Sequence, residues 1–195
     1  LAIYKAPFGA LFICVLIEAN PVIWQNLPLN LCISIWYTFN VMGNPDTMNM
    51  NAKFFVLKQQ DESKAKADDH FALAAQIAAD QYRNGQRVFI CVNDNEAACA
   101  IDEIIWAFDP DSFVPHNLQG EGPKGGAPVE IGITPPVGNR KVLINLATQL
   151  PDYIRRFNQV FDFVPVEPAA KQAARERFKK LRQLGANLTT QDINS

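Results

Sequence analysis

A run of basic residues near the C-terminus has the spacing of an anion-binding surface. Four cations recur at steps of four, four and three residues, namely Lys171, Arg175, Lys179 and Arg182. In a helix, side chains at these steps lie on one face. The stretch Pro168–Leu184 has a net charge of +5, whereas the whole chain has a net charge of −2. A positive helix on an otherwise acidic chain predicts either a solvated surface helix or a site for an acidic partner.

Apolar residues accompany this basic stripe. Ala170, Ala174, Phe178 and Leu181 repeat at nearly the same period, and Val164 lies in the apolar run just before the helix. Cations beside an apolar contact suit an acidic peptide with a hydrophobic end better than they suit duplex DNA. Direct nucleic-acid binding is also disfavoured because the rest of the chain is acidic and the helix lacks interleaved aromatic residues for base stacking.

A glycine-rich segment resembles a nucleotide-binding motif but has the wrong context. Gly120–Gly125 matches G-x-G-x-x-G, which binds a dinucleotide only between a strand and the start of a helix. Here a loop precedes the segment, a strand is expected after it, and Pro123 lies inside it. The chain also lacks a P-loop sequence. We therefore expect no nucleotide cofactor.

His116 is the candidate for acid–base chemistry. It lies in the long loop Asp109–Ala127, close to Asp109 and Asp111, and a His/Asp pair can move protons. No convincing nucleophile accompanies it, since Ser112 lacks the required context and the best-placed cysteines are expected to be buried. A loop-bracing role is therefore favoured, no catalytic residue is assigned, and an α/β enzyme using His116 and this loop remains the alternative.

The four cysteines have no metal-ligand spacing. They are Cys14, Cys32, Cys91 and Cys99, without a C-x-x-C pair. Cys91 and Cys99 lie in apolar surroundings and are expected to be buried thiols. The pattern predicts no metal site and a reducing, cytoplasmic location.

Three large apolar residues lie at the end of a predicted helix and in the loop after it. They are Trp106, Phe113 and Leu118. Such residues either cover the core of their own domain or form an exposed patch for a protein partner. Their spacing alone favours the core.

Strands and helices alternate from Met50 onward, which predicts the elements that must position these residues. The helices are expected at Asp69–Arg83, Glu96–Phe108, Asp152–Gln159 and Pro168–Leu184, and Gly185–Ser195 is expected to be a polar tail. The predicted fold is a single α/β domain with a mostly parallel sheet of about five strands and helices on both faces. The strands are expected at Ala52–Leu57, Arg87–Val92, Pro128–Ile133, Lys141–Ala147 and Phe161–Val166.

The first 49 residues differ in composition from the rest. Residues 1–48 carry only three charges, and the apolar run Phe8–Ile17 is too short to span a bilayer. Met48 and Met50 precede the first convincing strand. We predict that translation begins at one of them, that residues 1–49 are an apolar extension from an upstream start, and that the domain occupies residues 50–195. A membrane-associating extension is the alternative.

Three segments resemble a known family. Asp102–Trp106, Ser112–Glu130 and Phe161–Leu188 are similar to the chi subunit of bacterial DNA polymerase III, in order from Met50 to about Leu188. The resemblance implies a non-catalytic accessory subunit of the clamp-loader complex, with a Rossmann-like fold that binds no nucleotide. It also implies two partners, the psi subunit and the acidic C-terminal tail of single-stranded DNA-binding protein. Contact with DNA would be indirect, and no cofactor, metal or membrane is implied.

The resemblance assigns roles to residues of this chain. Lys171, Arg175 and Lys179 would meet the carboxylates of the acidic tail, and an arginine can hold a carboxylate through two hydrogen bonds. The terminal Phe of the tail would bind in a slot formed by Val164, Phe178 and Gly185. Trp106, Phe113 and Leu118 would face the psi subunit, which reverses the preference for the core. The chain departs from the family pattern in two places, with Phe178 in place of a tyrosine and Ala186 in place of an aromatic residue.

Overall fold

The chain divides into two compact units, Leu1–Pro45 and Asp46–Ser195. The computed structural model describes residues 4–5, 11–12, 50–57, 69–107 and 113–193. In the first unit, strand β1 (Tyr4–Lys5) pairs antiparallel with strand β2 (Leu11–Phe12). The start of translation at Met48 or Met50 stays a prediction.

The second unit contains a parallel sheet. Its described strands are β3 Asn51–Leu57, β4 Val88–Cys91, β5 His116–Leu118, β6 Val129–Gly132, β7 Val142–Asn145, β8 Gln159–Val164 and β9 Asn187–Ile193. Their order across the sheet is β5-β6-β4-β7-β8-β3-β9, and every neighbouring pair is parallel. The helices are α1 Asp69–Arg83, α2 Asn95–Ala107 and α3 Pro168–Gln183, with one 3-10 turn at Ile154–Arg156.

The central strands are apolar because both of their faces are covered. All four residues of β4 are buried, and Val88 and Ile90 point to one core while Phe89 and Cys91 point to the other. A continuous apolar run is typical of a parallel strand between two layers of helices. The predicted α/β class is therefore confirmed.

Helices cover both faces of the sheet. On one face, α1 and α2 bury residues such as Ala74, Ala78 and Ile101. On the other face, α3 buries Leu181 beside Phe157, which follows the 3-10 turn. Among the described segments, no helix is both long enough and apolar enough to cross a bilayer.

Seven strands of this sheet lie within the described residues, two more than the sequence predicts. β5 lies inside the predicted loop, and β9 lies in the predicted polar tail. Both are edge strands. They are defined by backbone pairing to one neighbour and lack the apolar periodicity that marks a central strand. The predicted helix 152–159 is also shorter, since only one 3-10 turn forms and Gln159 already belongs to β8.

Candidate functional site

Helix α3 begins directly after β8 with a side-chain cap. The two carboxylate oxygens of Glu167 accept hydrogen bonds from the backbone N–H groups of Ala169 (3.1 Å) and Ala170 (2.7 Å). Pro168 occupies the first turn, where a missing N–H leaves no hydrogen bond unmade. The cap fixes the residue at which the helix starts, and therefore the position of each basic residue along the helix axis.

Arg177 is not part of the exposed basic surface. Its guanidinium donates to both carboxylate oxygens of the fully buried Asp162, at 2.7–3.1 Å, and to the carbonyls of Thr148 and Phe163, each at 2.9 Å. Asn145 adds a hydrogen bond to Asp162 at 3.2 Å. Sequence reasoning missed this pair, although an acidic residue inside the apolar strand QVFDFV signals a buried partner, since a buried charge needs one.

The exposed cations surround Phe178. Lys171 lies two turns before it, Arg175 one turn before it and Arg182 one turn after it, and all three side chains are exposed. In the described part of the chain, Lys171 and Arg182 have no carboxylate within ion-pair distance, and Arg175 donates only to Gln172, at 3.3 Å. Their charges therefore face solvent without internal compensation.

Lys179 lies further round the outer face of the helix. Its ammonium is 3.0 Å from the Glu176 carboxylate, and both side chains are mostly exposed. An exposed ion pair of this kind contributes about 0–1 kcal/mol. Lys179 is thus held only weakly.

An apolar corner lies beside these cations. Phe178 is partly buried and meets Phe54 edge to face, with ring centroids 5.1 Å apart. Val164, at the end of β8, is the register partner of Val56 in β3. It packs against the same core as Phe178 and Ala186.

Gly185 ends the helix that carries these cations. Its backbone is in the left-handed region at φ +79°, which favours glycine, and the residue is exposed. The corner therefore places partly buried apolar side chains beside cations that have no internal carboxylate.

A second exposed surface lies at the end of α2. Trp106 is 62% exposed and Phe113 is 68% exposed, with ring centroids 6.0 Å apart. Leu118 differs from them, since it is partly buried against the core under α1 and α2 and lines a cleft near the start of α2. The structure therefore places two of the three predicted residues together on the surface and the third between core and cleft.

His116 supports this surface from beneath. Its side chain is 2% exposed, its Nδ1 is 2.7 Å from the Val114 carbonyl, and its Nε2 is 3.3 Å from the Asp102 carboxylate. The Trp106 ring meets the His116 ring edge to face, with centroids 4.9 Å apart. These contacts agree with the loop-bracing interpretation. Asp109, Asp111 and Ser112 lie outside the described residues.

The two described cysteines differ. Cys91 is buried, with its sulfur 3.6 Å from the Tyr153 hydroxyl oxygen, and burial raises the pKa of its thiol. Cys99 is exposed, so the prediction that it is buried was wrong. The neighbouring Ala98 takes the inward position on α2, which turns Cys99 outward. In the segments described, no group of three or more His, Cys, Asp or Glu side chains is arranged to hold a metal ion.

Two arginines hold the glycine-rich segment by its carbonyl groups. Arg140 is buried, lies 2.9 Å from Glu130 and donates to the Ala127 carbonyl at 2.8 Å. Arg87 donates to the carbonyls of Gly125 and Gly126. A dinucleotide motif requires the N-terminus of a helix directly after its glycines. In this chain the next element after the segment is strand β6.

Comparison with known proteins identifies the family. The family model described as "DNA polymerase III chi subunit, HolC" matches residues 49–189. The chain belongs to this family. It is 48% identical to the DNA polymerase III subunit chi of Escherichia coli strain K12 over 120 residues, which is 60% of this chain and 82% of that protein. It is 42% identical to the subunit chi of Haemophilus influenzae, over 62% of this chain and 85% of that protein.

A more distant relative supports the same conclusion. The subunit chi of Pseudomonas aeruginosa is 33% identical over 133 residues, which is 68% of this chain and 89% of that protein. Among solved structures, the crystal structure of T4 UvsW matches with a TM-score of 0.54 and 11% identity, over 76% of this chain and 42% of that chain. At that identity the likeness concerns the fold alone. The chi family places this chain among the accessory subunits of DNA polymerase III.

Proposed function

We propose that this chi-family chain is a non-catalytic connector. One surface binds the acidic C-terminal tail of single-stranded DNA-binding protein, and the other binds the psi subunit of the clamp loader. DNA would then be reached only through these partners. The observation that carries the proposal is the apolar corner at Phe178 with three exposed cations one or two turns away.

The corner matches an acidic peptide that ends in an aromatic residue. The terminal side chain would pack between Val164 and Phe178, and burial of a Phe side chain contributes about 1.5–3 kcal/mol. Arg175 is the cation best placed to hold the terminal carboxylate, because it lies one turn from Phe178 and lacks an internal anion. Lys171 and Lys179 would meet the preceding aspartates.

The expected affinity follows from these contributions. Each solvent-exposed cation adds about 0–1 kcal/mol, and salt weakens its effect. A Kd on the order of micromolar corresponds to about 8 kcal/mol after the cost of association, so contacts of the backbone and of the other side chains of the tail must add to these contributions. Phe178 in place of a tyrosine removes one hydroxyl group from the slot. Ala186 in place of an aromatic residue removes apolar surface from one side of it. Both changes reduce the affinity for the peptide without removing the site.

The Trp106–Phe113 surface supports the second contact. Two adjacent aromatic rings with more than half of their surface exposed are unusual on a free protein surface, and Trp is enriched at binding hot spots. The ring of Trp106 packs against His116, which in turn contacts Asp102. A rigid anchor loses less conformational entropy on binding than a mobile one.

The test is titration of a labelled peptide ending in Asp-Ile-Pro-Phe with the full chain, at low and high salt. We expect a Kd on the order of micromolar that weakens with salt. Arg175→Ala should weaken binding by about tenfold or more, because hydrogen bonds to a charged group such as the terminal carboxylate contribute about 1.5–3 kcal/mol, more than the other exposed cations do. The matched control is Arg83→Ala, which removes an exposed arginine of α1, on the opposite face of the sheet from α3, and should leave the Kd unchanged.

Two results would contradict the peptide site. One is a folded protein that fails to bind the peptide at any salt concentration. The other is an equal loss of binding in both arginine variants, which would show that only overall charge matters.

A further inference from the structure

The basic helix α3 contains a single acidic residue. Its 16 residues include six lysines and arginines and one carboxylate, that of Glu176. Successive residues of a helix lie about 100° apart around its axis, so Glu176 borders the basic stripe on the side away from Phe178. The stripe therefore has an apolar residue on one side and an anion on the other.

Glu176 is linked to two of the cations that are proposed to bind the acidic tail. Its Oε1 atom is 3.0 Å from the Lys179 ammonium and also accepts a hydrogen bond from the Gln172 amide, at 3.0 Å. The amide oxygen of Gln172 accepts a hydrogen bond from Arg175, at 3.3 Å. One carboxylate thus contacts Lys179 directly and Arg175 through Gln172.

The Glu176–Lys179 ion pair is of a kind that a ligand can replace. The side chains of Lys179 and Glu176 are 65% and 58% exposed, whereas those of Arg177 and Asp162 in the buried pair are 8% and 0% exposed. Water screens an exposed pair, which therefore contributes little to stability. A carboxylate of a bound peptide can take the place of Glu176 at the Lys179 ammonium without unfolding any part of α3.

We infer that Glu176 is an internal competitor of the acidic tail. In the free protein its carboxylate occupies the Lys179 ammonium, and an aspartate of the tail must replace it there before Lys179 contributes to binding. The inference rests on the proposed tail site and adds to it a residue that opposes binding.

This competition favours peptides with an aromatic end over peptides that are merely acidic. Glu176 weakens the contribution of charge, because it repels carboxylates and pairs with a cation. It leaves the apolar contact unchanged, because Phe178 lies on the other side of the stripe. A repulsive element of this kind increases specificity at the expense of affinity.

The test is a titration of the Glu176→Gln variant of the full chain with the same labelled peptide. Glutamine keeps the size of the side chain and removes its charge. We expect the Kd to fall by about threefold at low salt, the scale of one exposed ion pair, and the gain to shrink at high salt.

The matched control is Asp80→Asn. Asp80 forms an ion pair with Arg83 at 3.1 Å, also between exposed side chains three residues apart, on the opposite face of the sheet. The substitution changes the net charge by the same amount and should leave the Kd unchanged. An equal gain in this variant would show that only net charge matters and would refute the inference.

Two further titrations test the exchange at Lys179. In the Lys179→Ala background, Glu176→Gln should give no further gain, since the two residues act as one pair. With a peptide in which asparagine replaces every aspartate, Glu176→Gln should leave the Kd unchanged.

The outcomes separate the inference from the proposed function. If the wild type binds and Glu176→Gln has an unchanged or higher Kd, the tail site stands and the competitor role is refuted. A full gain in the Lys179→Ala background also refutes it, because Glu176 would then act by general repulsion. If the folded wild type fails to bind the peptide, the tail site is refuted and the inference with it. Tighter binding that requires both Lys179 and the aspartates of the peptide supports both.

Discussion

Arg177→Met should destabilise the fold because it leaves Asp162 buried without its cation. The guanidinium donates three hydrogen bonds to the Asp162 carboxylate and two to backbone carbonyls, and only Asn145 and the Phe163 N–H group remain as donors to this carboxylate. Breaking a buried pair by removing one partner costs about 3–5 kcal/mol. We therefore expect a loss of this size in the free energy of unfolding.

Urea denaturation followed by circular dichroism measures this loss. Arg175→Met, which removes an exposed arginine from the same helix, should stay within about 0.5 kcal/mol of the wild type. The double variant Arg177→Met/Asp162→Leu should recover much of the loss, because it removes the uncompensated charge. A loss below about 1 kcal/mol in Arg177→Met would refute the assignment of Arg177 to a buried pair.

The same variant should show a characteristic pH dependence. Burial raises the pKa of the Asp162 carboxyl, and Arg177 is the main group that opposes this rise. Without Arg177, the folded state keeps its proton above about pH 4, where an unfolded Asp ionises. The folded state then binds more protons than the unfolded state, so stability falls as pH rises. The pKa of Asp162 is higher in the folded variant than in the folded wild type, so the deficit of Arg177→Met should grow as pH rises through the interval between these two pKa values, and a constant deficit would contradict this account.

Three further predictions concern other parts of the domain. Trp106→Ala should weaken psi binding by about 2 kcal/mol in a calorimetric titration without lowering Tm, whereas the equally exposed Val137→Ala should do neither. Alkylation near pH 8 with peptide mapping should label Cys99 and spare Cys91, because Cys91 is buried with a raised thiol pKa, and rapid labelling of folded Cys91 would contradict this. Gly126→Ala should cost more than the roughly 1–2 kcal/mol of left-handed strain, since the added Cβ would lie 2.5 Å from Arg140 Nη2. Gly138→Ala has the same kind of φ and open space, so equal losses in urea unfolding would refute the steric argument.

The sequence predicts the central fold well because its signals are local. Apolar runs such as Val88–Cys91 mark strands that are covered on both faces, and the alternation with amphipathic helices predicts the α/β class. The edge strands β5 and β9 were missed. Their residues are partly or fully exposed, so the pattern of burial that reveals a strand is absent and only pairing with a neighbour defines them.

The candidate sites were predictable to different degrees. The four-residue spacing of Lys171, Arg175 and Lys179 is a local property of one helix, and the structure leaves all three exposed. The exposure of Trp106 beside Phe113 is not local, because the same spacing is compatible with burial in the core. Resemblance to the chi family, and not periodicity, pointed to that surface.

The sequence by itself determined the fold class and the basic helix with its apolar neighbours, because period and composition are written along the chain, and its resemblance to the chi subunit pointed to the family. The tertiary structure alone decided that Arg177 points inward to Asp162 while Arg175 stays outside, and that Cys99 opens into a cleft. Those outcomes depend on how helices sit on the sheet and which strands are neighbours. Residues such as Asp162 and Arg177, 15 positions apart, meet only after β8 and α3 have packed together.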